Sequence, residues 1–331
     1  MLEIYYSDPP NVPDGKSMYN ITDFVMETTW SGDTEQAARK LALTMAYNTT
    51  DKDRTFPAMD LKLGGLLYAF YSDDTQPQVQ IFTGRIFYRH RNTSGFTFEY
   101  TAYDSMIYLA KSKIYKVLDN ITVTDAVRQI CAEIGVETGE LPAISTKVNF
   151  IADGKTCTEV IRELARQSEA DTGQDFSAVC LMGKVSLILK GETITDYIAI
   201  DDRDIFHTEH AESIENMVNR VAAVDETGKV CQIFSNEEDI AQYGTIQDVY
   251  RMQPPKAGEA VDNAKAAAAC LKRMEEHSSL EGIGNIQCIT GYAVTLQEEQ
   301  LKGTFFIQSD THTFKNGQHT MALSLGYMEE R

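Results

Sequence analysis

His207-Thr208-Glu209-His210 is the fragment that most resembles a reactive site. A zinc pair on one helix face needs histidines at i and i+4, and H-E-x-x-H adds a glutamate as general base. Here the spacing is three, the glutamate is misplaced and no third ligand is evident. The fragment reads as a polar loop. A second group is Asp310, His312 and His319. A turn at Asn316-Gly317 would bring the two histidines face to face, and Asp310 would complete a metal set. A structural role within a hairpin is the simpler expectation. The six cysteines are Cys131, Cys157, Cys180, Cys231, Cys270 and Cys288. They form no C-x-x-C pair and have no evident histidine partner, so they read as buried free thiols. No G-x-S-x-G, phosphate loop or dinucleotide fingerprint occurs. Acids are plentiful, yet nothing singles out a carboxylate pair for glycoside hydrolysis. The one tryptophan, Trp30, argues against a sugar-binding cleft. No catalytic residue, cofactor or metal is assigned.

A chain of 331 residues with 43% hydrophobic residues suggests two or three globular domains. No run of about 18 apolar residues occurs, so no transmembrane helix or membrane insertion is expected. The start, MLEIYYSDPPNVPDG, lacks a basic region followed by an apolar core. No signal peptide is expected, and folding in a bacterial cytoplasm follows. The net charge of −19 offers no basic stripe for nucleic acid. Arg85, Arg89, His90 and Arg91 are the only local basic cluster.

Residues 1–116 are strand-rich. Asp8 to Gly15 is a loop, and Ile21–Trp30 a strand followed by a turn at Ser31-Gly32-Asp33. Lys40–Tyr47 places Leu41, Leu43 and Met45 on one face. Leu61–Tyr71, Val79–Tyr88 and Gly95–Asp104 follow, the last with Phe96, Phe98, Tyr100 and Ala102 on one side. Asp104 is expected to anchor a turn. Short strands with turns between them argue for a barrel or sandwich.

Residues 117–193 contain a repeat. Thr122–Gly139 aligns with Thr156–Gly173 at an offset of 34 residues, with Thr122/Thr156, Arg128/Arg162 and Gly139/Gly173 identical. Each copy opens on a threonine suited to an N-cap, with an acid in the first turn. A hairpin about Met182-Gly183-Lys184 completes a small α/β domain. Residues 194–331 return to strands. Met217–Asp225 and Val230–Phe234 form a hairpin. Pro254-Pro255 stops the next element, and Glu259–His277 reads as a helix ended by Gly282 and Gly284. Strands Asn285–Leu296, Lys302–Phe314 and His319–Tyr327 close the chain. Asn316-Gly317 is a type I′ hairpin signal, and Met321, Leu323, Leu325 and Tyr327 share one face.

The end of the chain also carries a family resemblance. Ile307-x-x-Asp310-Thr311-His312-Thr313-Phe314, then Gly317-x-His319-Thr320-Met321-x-Leu323, resembles the signature of baseplate hub proteins of contractile phage tails, XkdQ/YqbQ type. Thr29-Trp30-Ser31-Gly32-Asp33 with Gln36-Ala37-Ala38-Arg39-x-Leu41 looks like the opening motif of those hubs. Ala102-Tyr103-Asp104, Asn216-x-Val218-Asn219 and Ile240-x-x-Tyr243-Gly244 keep the same order of features. The family is similar to the central hubs of Mu-like phages and phage-tail-like bacteriocins.

The resemblance implies an α+β, predominantly β fold: two barrel-like tube domains with an inserted small α/β domain. The expected boundaries are 1–116 for the first tube domain, 117–193 for the insert and 194–331 for the second tube domain. The first barrel either stops at 116 or borrows a strand or two from 194–215. The implied role is a structural baseplate hub, not an enzyme. It would act as a homotrimer joining the hexameric tail tube to the trimeric central spike, at the distal tip of a tail or tail-like particle, among other baseplate proteins. DNA would pass transiently without specific binding. Trp30, Asp33, Arg39, Asp104, Tyr243, Gly244, Asp310, His312, Phe314 and His319 are the family-motif positions, expected to be structural. Enzymatic tail-tip subtypes carry an added lysozyme or peptidase domain, which this chain is expected to lack. Two other readings stay open: a tail-tip cell-wall hydrolase, and a receptor- or carbohydrate-binding module.

Overall fold

The computed structural model describes residues 1–9, 18–46, 59–73, 77–201, 203–253, 262–299 and 301–327. Strand outweighs helix, 54% to 17%, so the class is α+β with β predominant. The chain clusters into two compact units, residues 1–208 with 279–331, and residues 209–278.

In the first unit the two ends of the sequence meet in one sheet. Strand Val25–Asp33 pairs antiparallel with Lys40–Ala46 on one side and with Lys302–Lys315 on the other. Lys40–Ala46 continues to Thr97–Tyr103, then Val79–Asn92, Leu66–Tyr71 and Leu2–Ser7. Lys302–Lys315 also pairs with Gln318–Tyr327 and Tyr292–Gln297. Period two explains the core. Leu41, Leu43 and Met45 are buried together, as are Met321, Leu323 and Leu325, whereas Tyr327 is exposed. Asn316 (φ 53°) and Gly317 (φ 75°) form the type I′ turn that the dipeptide predicts.

The segment between these strands carries both capped helices. Val123–Ile134 starts at Thr122, whose hydroxyl accepts from Asp125 N at 3.2 Å. Cys157–Thr172 starts at Thr156 in a full capping box: Thr156 Oγ1 accepts from Glu159 N, and Glu159 Oε2 accepts from Thr156 N at 2.7 Å. The repeat is staggered at its other end. Gly135 and Gly173 close the helices, both at positive φ. Gly139 instead lets the chain approach Lys184–Leu189, because a Cβ there would lie 2.5 Å from Ser186 Oγ. A ribbon of Lys113–Thr122 with Lys147–Thr156, not foreseen in the sequence, packs against the helices.

Several expectations are corrected. Residues 31–33 are not a turn; they stay in strand because Thr311, Asp310 and Ser309 pair with them. Thr22–Phe24 is a 3₁₀ turn, so that strand starts at Val25. The helix expected over Glu259–His277 is confined to Asn263–Ala268, and Glu275–Ile283 is a strand. Backbone pairing of Lys272 with Val218 overrides helix propensity there. Gly282 does not end a helix; it lets strand backbone pass Asp204 O, which a Cβ would approach to 2.2 Å. His207 and His210 lie on strand Ile205–Ser213 rather than in a loop, and three-residue spacing sends them to opposite faces. Strand at Asn285–Leu296 is limited to Tyr292–Gln297. Pro254-Pro255, Tyr47, residues 259–261 and residues 10–15 of the first loop lie outside the described residues.

The second unit has a three-stranded sheet, Val230–Ser235, Arg220–Val224 and Gln247–Arg251, with Ala267 packed on Val221 and Ala223. Thr156→Ala removes a cap that satisfies one orphan helix donor. It should lower unfolding stability by about 1 kcal/mol, measured by denaturant titration, with no change in the slope.

Candidate functional site: a buried polar junction

Strand register decides which side chains meet. Trp30 lies opposite His312, and Gly32 opposite Asp310. Arg39 follows six residues after Asp33, returning from a turn that Asp33 itself caps: its Oδ1 accepts from Glu35 N at 2.6 Å. The Arg39 guanidinium then reaches Asp310 in a bidentate pair, Nη1 to Oδ1 at 2.8 Å and Nη2 to Oδ2 at 2.5 Å. The side chains are 8% and 0% exposed, so water does not screen the pair. Thr290 donates twice more to Asp310 Oδ1, from its amide at 2.7 Å and its hydroxyl at 2.6 Å. Arg39 also lies over the Trp30 ring, 4.2 Å from its centroid. Gly32 makes room for this, since a Cβ there would sit 2.3 Å from Arg39 Nη1.

The network extends in two directions. Arg39 N donates to Asp104 Oδ2 at 3.1 Å, and Met106 N to Oδ1 at 2.9 Å, so Asp104 fixes the entry to helix Met106–Lys111. On the other side His312 Nε2 lies 3.0 Å from Cys288 O, and His312 Nδ1 lies 3.0 Å from His319 Nε2. A carbonyl accepts only, so His312 Nε2 carries the hydrogen and donates. Neutral His312 then accepts at Nδ1 from the Nε2–H of His319. His319 stacks on Phe314, ring centroids 4.1 Å apart.

Charge follows burial. Burial pushes the Asp310 carboxyl up, but the charge and hydrogen bonds of Arg39 outweigh it and hold Asp310 below the usual carboxylate range. Burial dominates at Asp104, pushed up to about 7 despite its two amide donors. Burial drives His312 down to about 4 and His319 down to about 3, and each histidine's neighbours include another positive group. Both are neutral at pH 7. Among the described residues no group of three or more His, Cys, Asp or Glu is placed to hold a metal ion.

Seven of the ten motif positions thus converge here: Trp30, Arg39, Asp104, Asp310, His312, Phe314 and His319. Asp33 caps the adjoining turn. Tyr243 and Gly244 belong to the second unit, where Gly244 ends helix Glu237–Tyr243 and its carbonyl accepts from Asn219 Nδ2 at 2.7 Å. Thr290 and the carbonyl of Cys288 were missed, because an irregular segment contributes them and no local pattern marks it.

The YQBQ-like family model matches residues 28–326. The chain belongs to the YQBQ-like family. It is 22% identical to the protein YqbQ of Bacillus subtilis over 254 residues, 74% of this chain and 77% of that one. It is 20% identical to XkdQ, a protein of the phage-like element PBSX in the same organism, covering 74% and 78%. The fold matches that of the 43 kDa tail protein of prophage MuSo2 from Shewanella oneidensis, with a TM-score of 0.70 and 13% identity over 98% of this chain and 97% of that one.

Arg39→Met or Asp310→Leu alone leaves an uncompensated buried charge and should cost about 3–5 kcal/mol of stability. The double variant should recover much of that loss in a double-mutant cycle; additive losses would contradict the pairing. The histidines give a pH signature. Their folded pKa values lie below the ordinary 6.5, so their contribution is complete above about pH 6.5 and is lost as pH falls towards 4 and 3. Histidine ring resonances followed by NMR should show His312 and His319 still neutral at about pH 5.5, where an unperturbed imidazole is mostly charged.

Proposed function

We propose that this chain is the structural baseplate hub of a contractile tail. Three copies would form a ring between the hexameric tail tube and the trimeric central spike, lining the channel at the distal tip. The observation that carries the reading is the joining of both chain ends in one sheet through the motif residues Trp30, Arg39, Asp310, His312 and His319. Those residues hold one another through the Arg39–Asp310 pair, the His312–His319 hydrogen bond and the Arg39 guanidinium over the Trp30 ring. A buried network built on a bidentate ion pair and a histidine chain suits a part whose work is to keep its shape under load.

The remaining details belong to the same proposal. Residues 1–116 and 194–331 form the two tube parts, with strand Lys302–Lys315 sewn into the sheet of the first, and 117–193 is the insert. Two similar tube parts per copy would let a trimer present near-sixfold symmetry to the tube. Three copies would carry three times the charge of −19, and an acidic bore repels phosphate, so DNA would slide through without binding. Tube protein, spike protein and neighbouring baseplate proteins are the partners.

Antibody–gold labelling of purified tail particles tests this reading. Label confined to the tip where tube meets spike is expected, with a purified assembly of three times 37.0 kDa in sedimentation. Unlabelled particles with accessible tips would overturn it, as would peptidoglycan clearing by the purified chain that a single carboxylate substitution abolishes.

A further inference from the structure

A cavity of about 480 Å³ opens in the first unit beside the hairpin Phe176–Leu181 and Lys184–Leu189. Backbone hydrogen bonds show which way this hairpin's polar groups point. Val185 and Leu187 turn theirs to the segment Glu137–Glu140: Gly139 N donates to Val185 O, Val185 N to Glu137 O, and Leu187 N to Glu140 O, at 2.8–3.0 Å. Alternation then turns Lys184, Ser186 and Ile188 towards the other strand, where they pair with Leu181, Val179 and Ser177. Phe176, Ala178 and Cys180 are left with their amides and carbonyls directed away from the hairpin. No strand pairs with that edge among the described residues, and none of these three backbones makes a hydrogen bond outward there.

The cavity lies along this edge. One wall is the face of helix Cys157–Thr172 that presents Ile161 and Ala165, on the side where the Phe176, Ala178 and Cys180 side chains pack. The opposite wall is Ile289 to Gly291, on the side of Ser177 and Val179; a Cβ on Gly291 would lie 3.7 Å from Val179. Residues on both faces of the hairpin therefore line one space, which runs past its edge. Exposed sheet edges are normally covered or blunted. This edge is neither. It is recessed, with an apolar floor and a row of unpaired backbone groups at strand spacing.

Charge selects the occupant. Asp33, Glu159, Glu163, Glu169 and Asp175 line the cavity, against Arg162, Arg166 and Lys190 beside the internally neutralised Arg39. Arg166 is already taken by Glu163, and Lys190 by Asp175. The surplus is negative. We infer that the Phe176–Leu181 edge accepts an extended segment of another protein, bearing lysine or arginine, which adds as a strand beside Phe176, Ala178 and Cys180. Main-chain hydrogen bonds would supply affinity, and the acidic rim would choose between segments. The inference holds whether or not the chain sits at a tube–spike junction.

The test uses the full chain and a blocked hexapeptide of alternating lysine and valine, with its glutamate–valine counterpart as control. Amide exchange is followed by NMR at millimolar peptide. The lysine peptide should slow exchange at Ala178 and Cys180 at least tenfold, and the glutamate peptide should not. Ala178→Pro removes an outward donor without touching the hairpin ladder, and should reduce the peptide's affinity at least tenfold. Glu169→Lys, on the helix surface, should weaken it in the same direction and serves where the proline variant fails to fold. Absent protection, equal protection by both peptides, or protection indifferent to either substitution would overturn the inference. So would concentration-dependent protection of the same amides without peptide, which would make the occupant a second copy of this chain.

Discussion

The larger unit joins the two ends of its sequence across one bidentate ion pair between residues 271 positions apart. Arg39 and Asp310 lie near opposite ends of the sequence, and each is buried. An isolated charge in that position would be untenable; the pair persists because every oxygen of Asp310 is claimed by Arg39 or Thr290. The consequence is positional. A one-residue slip of Lys302–Lys315 against Val25–Asp33 would turn Asp310 to the other sheet face and strand both charges. The pair therefore pins register as well as joining the ends. A bulge between Ile307 and Ser309 supports this by changing the alternation at the point where the strand leaves its partner.

Around the pair, polar groups are used for shape. Asp104 ties the Arg39 backbone to the start of helix Met106–Lys111, whose Met106, Ile107 and Leu109 share a core with helix Cys157–Thr172. The histidines stay neutral and pass one hydrogen-bond direction from His319 to His312 to Cys288. Gly32 exists to let the guanidinium close on the sheet. Among the described residues Trp30 Nε1, Arg39 Nε and His319 Nδ1 are buried without a hydrogen-bond partner, so the ion pair, Thr290 and the histidine chain carry the specification of this arrangement.

Much of this was legible in the sequence, and the limits have physical causes. Asn316-Gly317 announced the final hairpin because the turn's backbone demands positive φ. Thr122 and Thr156 announced their helices because capping is local. The approach of His312 to His319 followed from the turn between them. Arg39 with Asp310 did not: sequence signals report neighbours along the chain, and this contact is made across the sheet. The resemblance picked out both residues without saying that they touch. The failed helix over Glu259–His277 has the same origin. The sequence stripe of Val261, Ala264, Ala268, Leu271 and Met274 expresses a local preference, but strand Glu275–Ile283 and the backbone pairing of Lys272 with Val218 supply more. Thr290 had no signature, since a lone threonine in irregular chain looks like any other.

The ends of the sequence form one cooperative body held at the Arg39–Asp310 junction. Native-state hydrogen exchange across a denaturant series tests it most directly. Amides of Val25–Asp33 and Lys302–Lys315 that pair with each other should open together, with one free energy and one denaturant slope. If the amides of Lys302–Lys315 open at clearly lower free energy while those of Val25–Asp33 stay protected, the hairpin is an appendage and the account of the junction is wrong.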